Sequence, residues 1–231
     1  MNHEVQIAQI ATYPNAPVLS ISKSPPPSTL GVALIDGKIH IRTPRLFIRA
    51  AETEDLDGLH ECMSDENSMR YWSCAPYTNL SQTTDFLDQM IVGKFNGHLD
   101  FSVCLLPVSN SPDSDSTTSP TFIGKAGLYN GHEIGFIFNK KYWGKGYAFE
   151  ALDAILNHYW NRRLNSLSDI LSEPQPVEAD VDPRNDASLK LLRKLGFVKT
   201  GYAKNTFQTH LGWCDSVYLK MERPADTQAT T

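Results

Sequence analysis

The sequence predicts one α/β or α+β domain in which a sheet is covered by helices, and three observations carry that expectation. Short strand-like runs recur between residues 45 and 221; Phe101, Val103 and Leu105 alternate, as do Val177, Ala179 and Val181. One long stretch is helical instead: Ala148, Ala151, Leu152, Ile155, Leu156 and Tyr159 fall at i, i+3, i+4, i+7, i+8 and i+11, which is one face. Strands interleaved with crossover helices call for a sheet packed by helices.

The elements follow in chain order. Residues 1–40 contain Ser24-Pro25-Pro26-Pro27-Ser28 and little periodicity, so they read as an extended arm with a short strand near Gly31 to Ile35. The folded body is expected over residues 41–223. Arg45-Leu46-Phe47-Ile48-Arg49 is a strand. Thr53 is a plausible N-cap for a helix over Glu54 to Met63, with acids in its first turn. Ser81 is a candidate cap for a second helix to about Phe95. The strand Phe101 to Leu105 leads into residues 107–121, PVSNSPDSDSTTSPT, which hold no basic or aromatic residue and no aliphatic one except Val108. Such a segment buries almost nothing and reads as a disordered loop between two strands. Phe122 to Tyr129 and Ile134 to Phe138 are strands, the second apolar on both faces, as a central strand is. The long helix follows, then a polar loop around Leu164 to Pro176, then the strand at Val177. Asn185 to Leu195 is a shorter helix with Leu191, Leu192 and Leu195 inward and Gly196 at its end. Val217 to Met221 closes the body, and residues 224–231 read as a frayed tail.

Composition narrows the function. The 231 residues carry 21 Lys and Arg against 26 Asp and Glu, a net charge of −5. Nucleic-acid binding needs a basic surface, so it is not expected, whereas a cationic or amine-bearing partner suits the charge. No run of about 18 apolar residues predicts a membrane span. The start, MNHEVQ, has an acid where a signal peptide needs basic residues. Cys62, Cys74, Cys104 and Cys214 are widely spaced with no C-x-x-C, and the seven histidines are scattered, so neither a metal site nor a redox motif is indicated. A cytoplasmic, reduced protein, monomer or homodimer, is the expectation.

The chemistry is expected where the central strand meets the long helix. From Glu133 to Glu150 a strand ends, a short loop holds Gly144 and Gly146, and a helix begins. The first helical N–H groups have no partner inside the helix and carry partial positive charge. Glycines let a ligand approach the backbone, so the turn is a candidate pyrophosphate cradle. It is not a P-loop, since G-x-x-x-x-G-K-[ST] is absent. Nor is it a dinucleotide fingerprint, since Phe149 stands where the third glycine belongs.

Trp143-Gly144-Lys145-Gly146-Tyr147-Ala148 resembles the coenzyme A pyrophosphate loop of the GNAT superfamily of N-acetyltransferases, Q/R-x-x-G-x-G/A. Trp143 replaces the Gln or Arg, as in the branch similar to RimJ/RimL ribosomal-protein N-terminal acetyltransferases. Asn185-Asp186-Ala187-Ser188 followed by Arg193-Lys194-Leu195-Gly196-Phe197 resembles that branch's N-x-x-S…K-L-G-F element. Thr43-Pro44-Arg45-Leu46 resembles its opening T-x-R-L strand. Together the three blocks span about residues 42–223.

The resemblance implies a mixed, mostly antiparallel sheet of about six to seven strands with a splayed parallel pair, flanked by about four helices. It implies acetyl-CoA as cofactor and an amine that attacks the thioester directly, with no acyl-enzyme. Backbone groups from Gly144 to Ala148, including Lys145 and Tyr147, would hold the pyrophosphate beside Trp143. The pantetheine arm would lie along Phe136, Ile137 and Phe138, where that strand splays from Val177 to Asp182, and would meet the Asn185 amide and Ser188. Glu133 would be the base and Ser188 a contact or acid for the thiolate. Tyr71, Trp72 and Tyr77 would line the acceptor pocket. Each residue also has a plainer reading: Glu133 as a strand-end acid, Ser188 bonded to its own helix, Asn185 as an N-cap, Lys145 as a solvated lysine, and the aromatics as core packing. A tyrosine that many GNAT enzymes place seven residues after the asparagine is Leu192 here. The function expected is acetylation of a protein or peptide N-terminal α-amine. The alternatives are a small-molecule amine as acceptor, or a non-catalytic acyl-CoA-binding protein of the same fold.

Overall fold

The computed structural model describes residues 31–35, 38–93, 99–107, 119–161 and 175–224. The expectations for the arm before residue 31, for most of the 107–121 loop, for the loop around 164–176 up to residue 174 and for the tail after 224 lie outside the described residues. The strands are β1 (Gly31–Ile35), β2 (Lys38–Arg42), β3 (Leu46–Ala50), β4 (Leu99–Leu105), β5 (Thr121–Tyr129), β6 (Glu133–Phe138), β7 (Val177–Val181), β8 (Val198–Thr209) and β9 (Gly212–Met221). The helices are α1 (Leu56–Met63), α2 (Leu80–Gly93), α3 (Tyr147–Asn161) and α4 (Asp186–Leu195).

One sheet takes all nine strands in the order β1-β2-β3-β4-β5-β6-β7-β9-β8. Every neighbouring pair is antiparallel except β6 and β7. The main core lies under α3 and α4, where Leu152, Ile155, Leu156, Tyr159, Leu189 and Leu192 meet Ile48, Val103, Leu128 and Val181. A second cluster lies under α1 and α2, with Leu59, Met63, Leu87 and Met90 against Ile137. The apolar stripe of α3 is buried from Ala151 to Trp160, because a helix crossing a sheet hides one full face. Among the described residues no helix is long and apolar enough to cross a membrane.

Several local expectations change. The sheet has more strands than six or seven because its margins give little periodic signal. β1 forms where the short strand was expected, at Gly31–Ile35, but most of β2 lies in the stretch read as an arm, and β8 is an edge strand whose Val198 and Tyr202 stay exposed. An edge strand buries too little for an alternating pattern to show. Thr53 does not cap α1: its hydroxyl donates to Glu54 Oε2 at 3.1 Å, and a 3-10 turn over Thr53–Asp55 precedes the helix. That turn is set by Asp55, whose carboxylate takes hydrogen bonds from Arg49 at 2.7 and 2.8 Å and from the buried Ser102 hydroxyl at 2.6 Å. α2 starts two residues earlier than a Ser81 cap would place it, because Asn79 Oδ1 accepts both the Gln82 N–H at 3.2 Å and the Ser81 hydroxyl at 2.7 Å. On α4 it is Leu189, Leu192 and Leu195 that are buried, with Leu191 half-buried at the margin.

Candidate active site

The site begins with a gap in the sheet. β6 and β7 share one parallel bridge, Glu133 opposite Glu178, supported by the Glu178 N–H donating to the His132 carbonyl at 2.8 Å. Beyond it β6 is paired on one side only, with β5 from Ile134–Leu128 to Phe138–Gly124, while β7 pairs with β9 over its whole length. The splayed edge of β6 thus carries backbone groups with no strand partner among the described residues. Gly135 and Phe136 are half-buried there, and a Cβ on Gly135 would meet nothing within 4 Å, so the edge is open at that point.

The end of β6 is fixed by Asn139. Its N–H donates to the Ile123 carbonyl at 2.9 Å, its amide donates to Glu61 Oε2 at 2.9 Å, and its Oδ1 accepts the Lys141 N–H at 3.0 Å. A 3-10 turn over Lys140–Tyr142 follows. Trp143 is exposed, and its Nε1 donates back to the Phe138 carbonyl at 2.7 Å. Gly144 and Gly146 both adopt left-handed backbone, with φ of +71° and +81°. That conformation costs an L-residue about 1–2 kcal/mol, which is why glycine stands at both positions. The Glu150 N–H bonds the Gly146 carbonyl at 3.1 Å, so the N–H groups of the first turn of α3 stand ahead of any helical acceptor. Lys145 Nζ folds back to the Lys141 carbonyl at 3.1 Å and lies 5.6 Å from the Tyr142 ring centroid.

β7 leads into α4 through a fixed turn. Asp182 is buried and takes paired hydrogen bonds from Arg184, at 2.9 Å from Nε and 2.5 Å from Nη2. The Arg184 guanidinium holds that carboxyl below the usual aspartate range. Asn185 caps α4, its Oδ1 accepting the Ser188 N–H at 3.1 Å. The cap uses the oxygen of the amide and leaves its NH2 as a donor. Ser188 is half-buried on the same first turn, and Leu192, in the place of the family's tyrosine, is fully buried.

The aromatics between α1 and α2 sit against the second cluster. Trp72 and Tyr77 pack on it, and the Tyr77 N–H donates to the Met63 carbonyl at 2.8 Å. Tyr71 is half-buried, with the Arg70 guanidinium 5.4 Å from its ring centroid. Trp72 has a neighbour that sequence reasoning missed. Lys125 Nζ lies 5.8 Å from the Trp72 centroid and 5.2 Å from that of Phe86, and is paired with Asp100 at 2.8 Å. Glu133 is exposed at the far end of β6, about 17 Å along the strand from Phe138 at ~3.3 Å per residue. Cys62 and Cys104 are buried, and burial pushes their thiols up to about 12 and about 11, so neither is a nucleophile at neutral pH.

The residues thus fall into a line along β6: a carboxylate at its start, an open point and an edge with no strand partner among the described residues in its middle, and a glycine loop leading into the first turn of α3 at its end. The open edge at Gly135 and the two left-handed glycines fit a ligand with a slender arm and an anionic head. Three further residues belong to that loop and were not assigned from the sequence. Thr43 and Arg45 both hydrogen-bond Glu150 in the first turn of α3, and Arg45 also holds the Lys145 carbonyl. The T-x-R-L resemblance marked Thr43 and Arg45 without giving them a part.

Comparison with known proteins identifies the family and the fold. Residues 45–198 match the family model described as an acetyltransferase (GNAT) domain. The chain is 29% identical over 180 residues to the uncharacterized N-acetyltransferase p20 of Bacillus licheniformis, covering 77% of this chain and 92% of that protein. It is 32% identical over 98 residues to the ribosomal protein uS5-alanine N-acetyltransferase of Escherichia coli, covering 42% of this chain and 46% of that one. Among solved structures, the spermidine N-acetyltransferase of Vibrio cholerae in complex with CoA and spermine superposes with a TM-score of 0.60 at 20% identity, over 77% of this chain and 95% of that one.

Proposed function

The chain belongs to the GNAT acetyltransferase family and is an N-acetyltransferase that uses acetyl-CoA, and we propose that its acceptor is the α-amino group of a protein or peptide N-terminus. The observation that carries the proposal is Glu133, an exposed carboxylate at the start of β6, where the splayed pair is still joined by its one bridge to β7. An amine must lose a proton to become a nucleophile. A free α-amino group has a pKa of about 7.7–8.0, whereas a lysine ammonium is near 10.4. The gap of about 2.5 units corresponds to roughly 3.5 kcal/mol of extra deprotonation work for lysine. One strand-end carboxylate suits the easier task. The uS5-alanine acetyltransferase among the relatives points the same way, while the spermidine enzyme shares only the fold.

When bound, acetyl-CoA supplies a thioester carbonyl that an amine attacks directly. The chain's own residues divide the remaining work. N–H groups from Gly144 to Ala148 hold the pyrophosphate at the positive end of α3, flanked by Trp143 and Lys145. The splayed edge at Phe136 offers backbone hydrogen bonds to the pantetheine arm, which runs on past Ile137 and Phe138, and the Asn185 amide offers one more. Glu133 accepts the amine proton at its carboxylate, directly or through one water. Ser188 offers its hydroxyl as a hydrogen-bond donor to the departing sulfur, which leaves as the thiolate and keeps no proton from the serine. Tyr71, Trp72 and Tyr77 form the wall on the acceptor side, outside the cofactor gap.

A thiol-release assay with acetyl-CoA tests the reading against peptides with free N-termini, N-terminally blocked peptides bearing lysine, and spermidine. Free N-termini are expected to react fastest. Spermidine or blocked peptides reacting faster would overturn the acceptor assignment while leaving the acetyltransferase in place.

A further inference from the structure

The segment Thr43-Pro44-Arg45-Leu46 leads from β2 into β3, and its side chains reach the loop that the proposed function assigns to the pyrophosphate. Glu150 is the anchor. Its Oε1 accepts the Thr43 hydroxyl at 2.6 Å and the Arg45 N–H at 3.0 Å, and its Oε2 accepts Arg45 Nε at 2.6 Å. Arg45 Nη1 donates to the Lys145 carbonyl at 2.8 Å, and the guanidinium lies 4.6 Å from the Tyr147 ring centroid. One arginine therefore grips the loop on both sides of Gly146, through Lys145 before it and through Tyr147 and Glu150 after it.

Two features point beyond a structural brace. First, Glu150 places a negative charge in the first turn of α3. That charge suits the helix dipole but opposes an anion at the same terminus; Arg45 neutralises it. Second, Arg45 has a donor to spare. Nη2 has no hydrogen-bond acceptor among the described residues, and it lies 3.4 Å from where a Cβ on Gly146 would stand. Its side chain is 45% exposed, so the guanidinium is open to a ligand at the loop.

We propose that Arg45 both locks the 144–148 loop in its binding conformation and donates Nη2 to the diphosphate of coenzyme A. A guanidinium suits this double task, since its planar fork serves a carboxylate and a phosphate oxygen at once. The proposal rests on the loop being the pyrophosphate site.

Calorimetric titration with coenzyme A, together with the melting temperature of the free protein, tests it in Arg45→Ala, Glu150→Gln and the double variant. Arg45→Ala is expected to raise the Kd about tenfold or more and to lower the melting temperature, because it leaves Glu150 unpaired. The double variant removes that orphaned charge. It is expected to melt close to the wild type yet still bind coenzyme A about tenfold more weakly. If the double variant regains both melting temperature and affinity, Arg45 is a brace only and the proposal fails. Unchanged affinity in Arg45→Ala itself also refutes it. A wild-type protein that does not bind coenzyme A would refute the loop assignment along with it.

Discussion

Gly146 offers a perturbation whose size can be worked out before the experiment. Its φ is +81°, and a Cβ there would stand 3.4 Å from Arg45 Nη2 and near nothing else within 4 Å. Alanine therefore costs mainly the left-handed strain of about 1–2 kcal/mol, since the exposed guanidinium can yield by a few tenths of an ångström. At about 2–4 °C per kcal/mol for a protein of this size, the melting temperature should fall by roughly 2–8 °C. Aspartate adds a negative charge against the diphosphate. Two unit charges 4 Å apart interact by about 1 kcal/mol in water and about 4 kcal/mol near a protein surface. A loss of about 2 kcal/mol, near thirtyfold in Kd, is the expectation for Gly146→Asp. Gly212 provides the control. It sits at the β8–β9 turn with φ of +92° and open space around it, so Gly212→Ala carries the same strain away from the loop. Calorimetry with coenzyme A and thermal melts would separate the two. Gly146→Asp binding as tightly as Gly212→Ala, with both folded, would refute the assignment of the loop.

Three other outcomes follow from the same geometry. Glu133→Gln keeps the shape and removes the base; kcat at pH 7 should fall about a hundredfold or more and recover at high pH, where the amine deprotonates unaided, as a pH–rate profile would show. Leu105 and Thr121 are cross-strand partners, so replacing residues 108–118 by a short Gly-Ser turn should shift the melting temperature by only a few degrees, since closure entropy depends weakly on loop length; a loss of tens of degrees would show that the segment packs. Asp182, held below the usual aspartate range by Arg184, contributes stability above its unfolded pKa and loses it as pH falls through the lower folded value. Asp182→Asn should therefore be less stable than wild type by about 1–2 kcal/mol at pH 7, and the gap should close below about pH 4 in urea titrations.

What the sequence made legible was local. Gly144 and Gly146 announce a left-handed turn because few other residues tolerate one, and Asn185 with Gly196 brackets α4 by cap chemistry alone. The stripe from Ala148 to Tyr159 shows because α3 is buried along its inner face from Ala151 onward. β8 was silent for the opposite reason: an exposed edge strand has no buried face to impose a period. The clamp was silent because its partners are far apart in the chain. Arg45 and Glu150 stand 105 residues from each other, and no local spacing rule joins them. Lys125 and Asp100 are hidden in the same way, 25 residues apart on neighbouring strands. Asp55 shows a third kind of failure. A cap reading for Thr53 is sound locally, but Arg49 and Ser102 reach the carboxylate from the sheet and reset the turn.

The central claim is that this chain moves an acetyl group from acetyl-CoA to a neutral α-amine, with Glu133 taking the proton. The most direct measurement uses one peptide that carries both a free N-terminus and an internal lysine, incubated with acetyl-CoA and the enzyme at pH 7 and mapped by fragment masses. Acetyl on the N-terminal residue well ahead of the lysine, and its loss with Glu133→Gln, is the predicted result. Acetyl appearing first on the lysine, or an undiminished N-terminal product from Glu133→Gln, would contradict it.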